Sequence, residues 1–149
     1  MTGELYHHGI LGMKWGVRRY QNEDGSLTSE GLKRYKKTAY KKFNRNYKLQ
    51  SDIEYEWGKK FSQIQKNLEK KYGKKINDLD NLDLDEFKRS PLAKEVVKTF
   101  RTEYRNFLKK KINSFYKEDI KTYKLGKDWC DDYLDKKTSY YLQDKDFNT

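Results

Sequence analysis

The chain has 149 residues, the size of one domain or of one domain with an additional arm. Lys and Arg total 34 against 23 Asp and Glu, a formal net charge of +11, and only 34% of the residues are hydrophobic. Three valines are too few for the buried strands of a large α/β enzyme, and no apolar run approaches the ~20 residues that span a bilayer. A single cysteine, Cys130, excludes an internal disulfide and a Cys-based zinc site.

The first 28 residues differ from the rest in their glycine content. They hold five of the nine glycines in the chain: Gly3, Gly9, Gly12, Gly16 and Gly25. This density predicts an extended and turning N-terminal arm over residues 1–28, with a turn at Asp24-Gly25. The apolar stretch near Ile10 is too short for the core of a secretory signal peptide, so we do not expect secretion by that route.

From Ser29 onward, apolar residues recur every three or four positions, which predicts amphipathic helices. Thr28 is the expected N-cap of the first helix. The register is loose over residues 44–50, which leaves open one long bent helix or two helices with a break there. Gly73 is the expected C-cap of this first helical region.

A second long helix is predicted to begin at Ser90-Pro91, an N-cap serine followed by the only proline. We expect this helix to run to about Leu125 with Gly126 as its C-cap, and a short last helix to follow. Before it, Asp83 and Glu86 have the spacing of a capping box. The predicted fold class is all-α: two long amphipathic helices plus one or two short ones in a helical domain over residues 29–149, preceded by the arm.

A basic stretch lies between Leu32 and Lys48 and contains no acidic residue. Its eight cations are the predicted polyanion-binding residues: Lys33, Arg34, Lys36, Lys37, Lys41, Lys42, Arg45 and Lys48. Like charges on one helix repel, and a nucleic-acid backbone, an acidic protein surface or anionic lipid would relieve that repulsion. Four aromatic residues are interleaved with them and could stack on unpaired bases: Tyr35, Tyr40, Phe43 and Tyr47. The alternative is that the aromatic residues form the buried stripe and the lysines only confer solubility.

No motif indicates catalysis, a metal site or a cofactor. His7 and His8 are adjacent and lack the spaced carboxylates that a metal pair or a general base requires. Cys130 is expected to be a small core residue. The tyrosines, 13 in number, are expected to cover the helices with their hydroxyls in water. We therefore expect a protein that is neither an enzyme nor embedded in a membrane.

The arm contains side chains suited to an interface. Its predicted docking residues are Ile10, Leu11, Met13, Trp15, Val17, Arg18 and Arg19. Large apolar anchors next to fixed positive charge are typical of interface hot spots. Two arrangements remain open: the arm folds back over its own helical domain, or it docks on another subunit.

Residues 7–35 contain the pattern His-x-Gly-x-x-Gly-Met-Lys-Trp-Gly-x-Arg-Arg-Tyr-Gln-Asn, then Asp-Gly-Ser-Leu-Thr and Gly-x-Lys-Arg-Tyr. This segment resembles a module found in otherwise dissimilar proteins of tailed bacteriophages and prophages of gut bacteria, often virion structural or head-associated proteins. The resemblance covers about a fifth of the chain and carries no catalytic residue.

The resemblance implies a non-enzymatic virion protein, located in the phage head or in the host cytoplasm during assembly. Its arm would dock on a capsid or portal subunit, and its basic helix would face packaged DNA or an acidic surface. Two alternatives remain: a soluble phage-encoded inhibitor or accessory protein that binds a host protein or nucleoprotein complex, and a non-specific nucleic-acid binder acting alone. Self-association through the tyrosine-rich stripes is a further expectation.

Overall fold

The computed structural model describes residues 19–138, which form helices joined by short turns. The α-helices are α1 (Ser29–Arg45), α2 (Tyr47–Tyr72), α3 (Leu84–Arg89), α4 (Pro91–Thr99), α5 (Arg105–Phe115), α6 (Lys117–Tyr123) and α7 (Asp131–Thr138). A 3-10 helix spans Ile76–Asn81 and a π-helix spans Phe100–Tyr104. Residues 19–138 contain no β-strand, so the all-α prediction is confirmed for this part of the chain.

The first helical region is two helices with a break at one residue. Asn46 leaves helical geometry, with φ −81° and ψ 89°, and its side-chain oxygen accepts a hydrogen bond from the Leu49 N–H at 3.0 Å. Asn46 therefore ends α1 and caps the start of α2. Thr28 caps α1 as predicted, since its hydroxyl accepts from the Gly31 N–H at 3.1 Å. Gly73 follows α2 with φ +64°, the left-handed conformation expected of a C-cap glycine.

The two predicted start signals before α4 are confirmed. The Asp83 carboxylate accepts from the Glu86 N–H at 2.8 Å, and Glu86 accepts from the Asp83 N–H at 3.1 Å, which completes the capping box. Ser90 accepts from the Ala93 N–H at 3.2 Å, and Pro91 occupies the first position of α4. Both caps satisfy N–H groups that have no partner within the helix itself.

The prediction of one helix from Pro91 to Leu125 is wrong in its second half. The backbone leaves helical geometry at Tyr116, with φ −104° and ψ 24°, and a separate helix α6 follows. That helix ends in a left-handed residue at Lys124, with φ 54°, and not at Gly126. The Leu125 N–H donates to the Ile120 carbonyl at 3.0 Å, the pattern of a Schellman motif, which closes the helix before Gly126 is reached.

Contacts divide the chain into two compact units, which we describe separately. The first unit contains residues 19–50 and 112–131 of the described chain. Its core consists mainly of aromatic side chains: Tyr35, Ala39, Phe43, Ile112, Tyr116, Tyr123, Trp129 and Cys130 are all buried. Cys130 is fully buried, so its predicted place in the core is confirmed.

The expectation that tyrosine hydroxyls reach water is wrong for this core. Tyr35 donates to the Asp119 carboxylate at 2.7 Å, and Tyr116 donates to the Ala39 carbonyl at 2.5 Å. The Tyr123 hydroxyl is buried without a hydrogen-bond partner among the described residues. Burial raises the pKa of Tyr116 and of Tyr123 to about 12. The pKa of Tyr35 is raised as well, first by burial and then by the bond to Asp119.

The second unit contains residues 51–111 and 132–138 of the described chain. Leu68 of α2 packs in one apolar cluster with Leu79 of the 3-10 helix and with Leu92 and Ala93 of α4. A second cluster surrounds the Trp57 ring, whose neighbours at 4.9–6.0 Å are Phe61, Phe100, Tyr104 and Phe107. The π-helix therefore lies where α2 and the α4–α5 region share aromatic contacts.

No helix within the described range is long and apolar enough to cross a bilayer.

Candidate polyanion-binding surface

One face of α1 is part of the core of the first unit. Gly31, Tyr35, Ala39 and Phe43 are buried at intervals of four residues. The Tyr35 ring centroid lies 5.7 Å from that of Trp129, and the Phe43 centroid lies 6.1 Å from that of Phe115. Two of the four aromatic residues interleaved with the cations are therefore core residues.

The other two interleaved aromatic residues differ in exposure. Tyr40 is half-buried, and its ring stacks on Trp129 with a centroid distance of 5.9 Å and an interplanar angle of 21°. Tyr47 follows the break at Asn46 and is 82% exposed. Of the four, Tyr47 is therefore the most exposed to solvent.

The cations lie mainly on the exposed side of α1 and continue into the first turn of α2. We call them the basic surface: Lys33, Arg34, Lys36, Lys37, Lys41, Lys42, Arg45 and Lys48. Seven of them are exposed and Lys36 is half-buried. Lys33, Lys37, Lys41 and Arg45 are four residues apart, so they form a row along the helix with a rise of about 6 Å per step.

Two members of the basic surface interact within the protein. The Arg34 guanidinium lies 4.5 Å from the centroid of the Tyr20 ring and donates to the Tyr20 hydroxyl at 3.0 Å. Lys36 also has an interaction inside the chain. The remaining six have no carboxylate within 4 Å among residues 19–138: Lys33, Lys37, Lys41, Lys42, Arg45 and Lys48.

Lysines of the second unit show the contrasting pattern. Lys71 binds Glu95 at 2.9 Å, Lys111 binds Glu56 at 2.7 Å, and Lys60 lies 3.5 Å from Glu103.

On the basic surface, adjacent cations of the row repel by about 0.2–0.5 kcal/mol per pair, or about 1 kcal/mol over three pairs. The aromatic core can sustain a cost of that size, and a bound polyanion would remove it.

Residues 19–28, which we call the N-terminal clasp, contact α1 and α6. The Thr28 hydroxyl donates to the Arg19 carbonyl at 2.6 Å, and the Thr28 N–H donates to the Tyr20 carbonyl at 3.0 Å. At the end of α6, the Lys124 ammonium lies 3.4 Å from the Asp24 carboxylate of the clasp. This segment of the predicted arm is therefore joined to the first unit by side-chain and backbone bonds.

A tight turn forms the tip of the clasp. The Asn22 N–H donates to the Ser26 carbonyl at 2.7 Å, and Gly25 has φ +93°, as expected for the predicted Asp24-Gly25 turn. The Asp24 carboxylate accepts from the Ser26 hydroxyl at 2.6 Å and from its N–H at 3.0 Å. These two bonds, with a smaller effect from Lys124, lower the pKa of Asp24 to about 2.

Of the predicted docking residues, Arg19 alone lies in the described range. It forms an exposed salt bridge with Glu30 at 3.1 Å. The others lie outside the described residues: Ile10, Leu11, Met13, Trp15, Val17 and Arg18. Docking through the arm and the division of the chain at residue 28 therefore remain predictions.

His7 and His8 also lie outside the described residues. Between residues 19 and 138, no group of three His, Cys, Asp or Glu side chains is arranged to hold a metal ion.

A comparison with protein families finds a match at the N-terminal end of the chain. Residues 1–22 match a family described as "Family of unknown function (DUF7211)". The match covers a small part of the chain and includes the first residues of the clasp. No curated protein and no solved structure matches the chain.

Proposed function

We propose that this chain is a non-enzymatic, virion-associated bacteriophage protein. It docks on a capsid or portal-region protein through its N-terminal residues and turns the basic surface toward DNA or an acidic surface. The resemblance of residues 7–35 to a module of phage proteins supports the phage assignment. The observation that carries the binding role is the set of six cations that have no carboxylate partner in the described chain.

The binding role is tested by the salt dependence of affinity. We expect wild-type protein to bind duplex DNA, and the logarithm of its affinity to fall with the logarithm of salt concentration by about 0.9 per phosphate contacted. Replacing Lys33, Lys37 and Lys41 together with glutamine removes three contacts of the row. The expected result is weaker binding and a slope reduced by about two to three.

A matched control changes the same net charge elsewhere. Lys66, Lys94 and Lys110 are exposed lysines of the second unit. Their triple glutamine variant should retain most of the affinity and the slope. Equal losses in the two triple variants would overturn the basic surface as the contact. Absence of binding to both duplex DNA and poly-glutamate at low salt would overturn the polyanion role itself.

Docking is tested by truncation before the clasp. Removing residues 1–28 would also remove the bonds of Thr28 and Tyr20 to their neighbours, so incorporation and folding would change together. Removing residues 1–18 leaves the clasp in place. We expect this shorter variant to keep its helical circular dichroism and its DNA affinity, and to be absent from purified particles of the phage that encodes it.

Mass spectrometry of those particles distinguishes the alternatives. Wild-type chain in the particles with loss on truncation of residues 1–18 supports docking in trans. Incorporation of the truncated chain at the wild-type level overturns the docking role of these residues. Absence of the wild-type chain from particles overturns the virion assignment and supports a soluble phage factor.

A further inference from the structure

Tyr47 is an aromatic side chain placed at one end of a row of cations. The row Lys33–Lys37–Lys41–Arg45 extends over about 18 Å of α1, and Tyr47 follows its last member by two residues. Tyr47 is 82% exposed, and the next cation, Lys48, is exposed beside it in sequence. All these residues belong to the first unit.

The backbone on both sides of Tyr47 is fixed by hydrogen bonds. The Asn46 N–H donates to the Phe43 carbonyl at 3.3 Å, and the Gln50 side-chain amide donates to the same carbonyl at 2.9 Å. The Asn46 side chain accepts from the Leu49 N–H at 3.0 Å. The backbone that carries Tyr47 is therefore already ordered, so that binding has to order only the side chain at this position.

Three kinds of polyanion would use this arrangement differently. An acidic protein surface or duplex DNA can neutralise the row, but the bases of a duplex are already stacked on one another. A single strand supplies both phosphates and unpaired bases, and base–aromatic stacking contributes about 1–3 kcal/mol per base. Of the four aromatic residues interleaved with the cations, Tyr47 has the exposed ring that such stacking requires, whereas Tyr40 already stacks on Trp129.

We propose that the basic surface binds single-stranded nucleic acid, with the backbone phosphates along Lys33, Lys37, Lys41 and Arg45 and an unpaired base stacked on Tyr47. This inference rests on the polyanion contact of the proposed function and specifies its ligand. It identifies Tyr47 as the residue that distinguishes a single strand from a duplex.

The test compares two labelled DNA probes of equal length, a homopyrimidine single strand and a duplex, by fluorescence anisotropy with the full chain. Tyr47→Ala should weaken single-strand binding by about five- to 150-fold, the range that corresponds to one lost stack. Duplex binding should change less than about twofold, because contacts between the cations and the backbone phosphates dominate duplex affinity. Tyr47→Trp should retain single-strand affinity, and its indole fluorescence should be quenched by the bound strand.

Tyr55 provides the matched control. It is also exposed, at 66%, and lies 4.5 Å from the Lys59 ammonium, but it is in the second unit and not on α1. Tyr55→Ala should leave both affinities unchanged. Circular dichroism of both alanine variants should match the wild type, because neither ring is buried.

The outcomes separate this inference from the proposed function. If Tyr47→Ala leaves single-strand affinity unchanged while the Lys33, Lys37 and Lys41 triple variant weakens both probes, stacking is overturned and the polyanion contact stands. Tighter binding of poly-glutamate than of the single strand overturns the inference in favour of an acidic protein partner. Failure of the wild type to bind any of the three probes overturns both.

Discussion

The backbone carbonyl of Tyr20 lies directly against the Cα of Gly31, so that a Cβ at position 31 would overlap the carbonyl oxygen and carbon. Gly31 is a buried position in the first turn of α1, and the clasp crosses the helix there. The Thr28 N–H and the Arg34 side chain hold Tyr20 in this place by its carbonyl and its hydroxyl, respectively. The close approach explains a glycine where helix propensity alone favours alanine.

Gly31→Ala is expected to destabilise the protein by about 1–3 kcal/mol, the usual cost of forcing extra volume into a packed site. The loss should occur although alanine is favoured over glycine in helices by about 1 kcal/mol. Urea denaturation followed by circular dichroism measures it. The matched control is Gly58→Ala in α2, where an added Cβ meets no atom within 4 Å. That variant should be more stable than wild type by about 0.5–1 kcal/mol.

An increase in stability in both alanine variants would contradict the close contact of the clasp with α1. A decrease in both would indicate that the helices themselves, and not the Tyr20 contact, reject the substitution.

The sequence predicted the local features that depend on neighbouring residues. The caps at Thr28, Gly73 and Ser90 and the box of Asp83 with Glu86 are short-range patterns, and the structure contains each of them. The clasp could not be predicted in the same way, because its central contact joins Tyr20 to Gly31 across a turn. The one indication in the sequence was Gly31, three residues after the N-cap Thr28. A helix does not require glycine at that position, so its presence indicates a close contact there.

Residues in the second half of the sequence segment 7–35 also build the clasp. Gln21 donates to the Gly25 carbonyl at 3.0 Å, Asn22 donates to the Ser26 hydroxyl at 3.0 Å, and Thr28 caps α1. These three side chains therefore have roles in the local structure of the clasp and of the start of α1. The basic surface was predicted as a set of charges, but which aromatic residues are buried depends on long-range packing that the sequence pattern alone does not give.

Two buried tyrosine hydroxyls of the first unit are expected to respond differently to removal. Tyr116→Phe removes the buried hydrogen bond that the Ala39 carbonyl accepts from the Tyr116 hydroxyl and should cost about 0.5–1.5 kcal/mol. Tyr123→Phe removes a buried hydroxyl that has no partner within the described residues, so stability should stay the same or increase. Thermal and urea unfolding of the two variants measure the difference.

Phenylalanine keeps the aromatic ring at both positions. Any change in stability therefore reports the loss of the hydroxyl and not a loss of packing. A clear loss of stability in Tyr123→Phe would show that this hydroxyl has a partner outside residues 19–138. Equal effects of the two substitutions would contradict the bond between Tyr116 and Ala39.

The Asp24 carboxylate in the turn of the clasp should make the stability of the folded protein depend on pH in the acidic range. Hydrogen bonds from Ser26 lower the pKa of Asp24 to about 2 in the folded protein, whereas the unfolded value is near 3.8. Because the folded pKa is depressed, the contribution is fully present above about pH 4 and is lost as pH falls toward about 2. Wild-type stability should therefore fall more steeply over this range than that of Asp24→Asn, which cannot titrate.

Ser26→Ala removes the largest cause of the shift, and NMR titration of the Asp24 carboxyl should then give a pKa closer to its ordinary value. An unchanged titration curve in that variant would contradict the hydrogen bonds of the turn.

The end of α6 offers a site where glycine should be an improvement. Lys124 adopts φ 54°, a left-handed conformation that disfavours side chains by about 1 kcal/mol. Its ammonium also lies 3.4 Å from Asp24, an exposed pair of small value. Lys124→Ala loses the pair and keeps the strain, whereas Lys124→Gly loses the pair and removes the strain. The glycine variant should therefore be more stable than the alanine variant by about 1 kcal/mol in urea denaturation. Equal stability of the two variants would mean that α6 does not end in a left-handed residue at Lys124. It would instead support the predicted C-cap at Gly126.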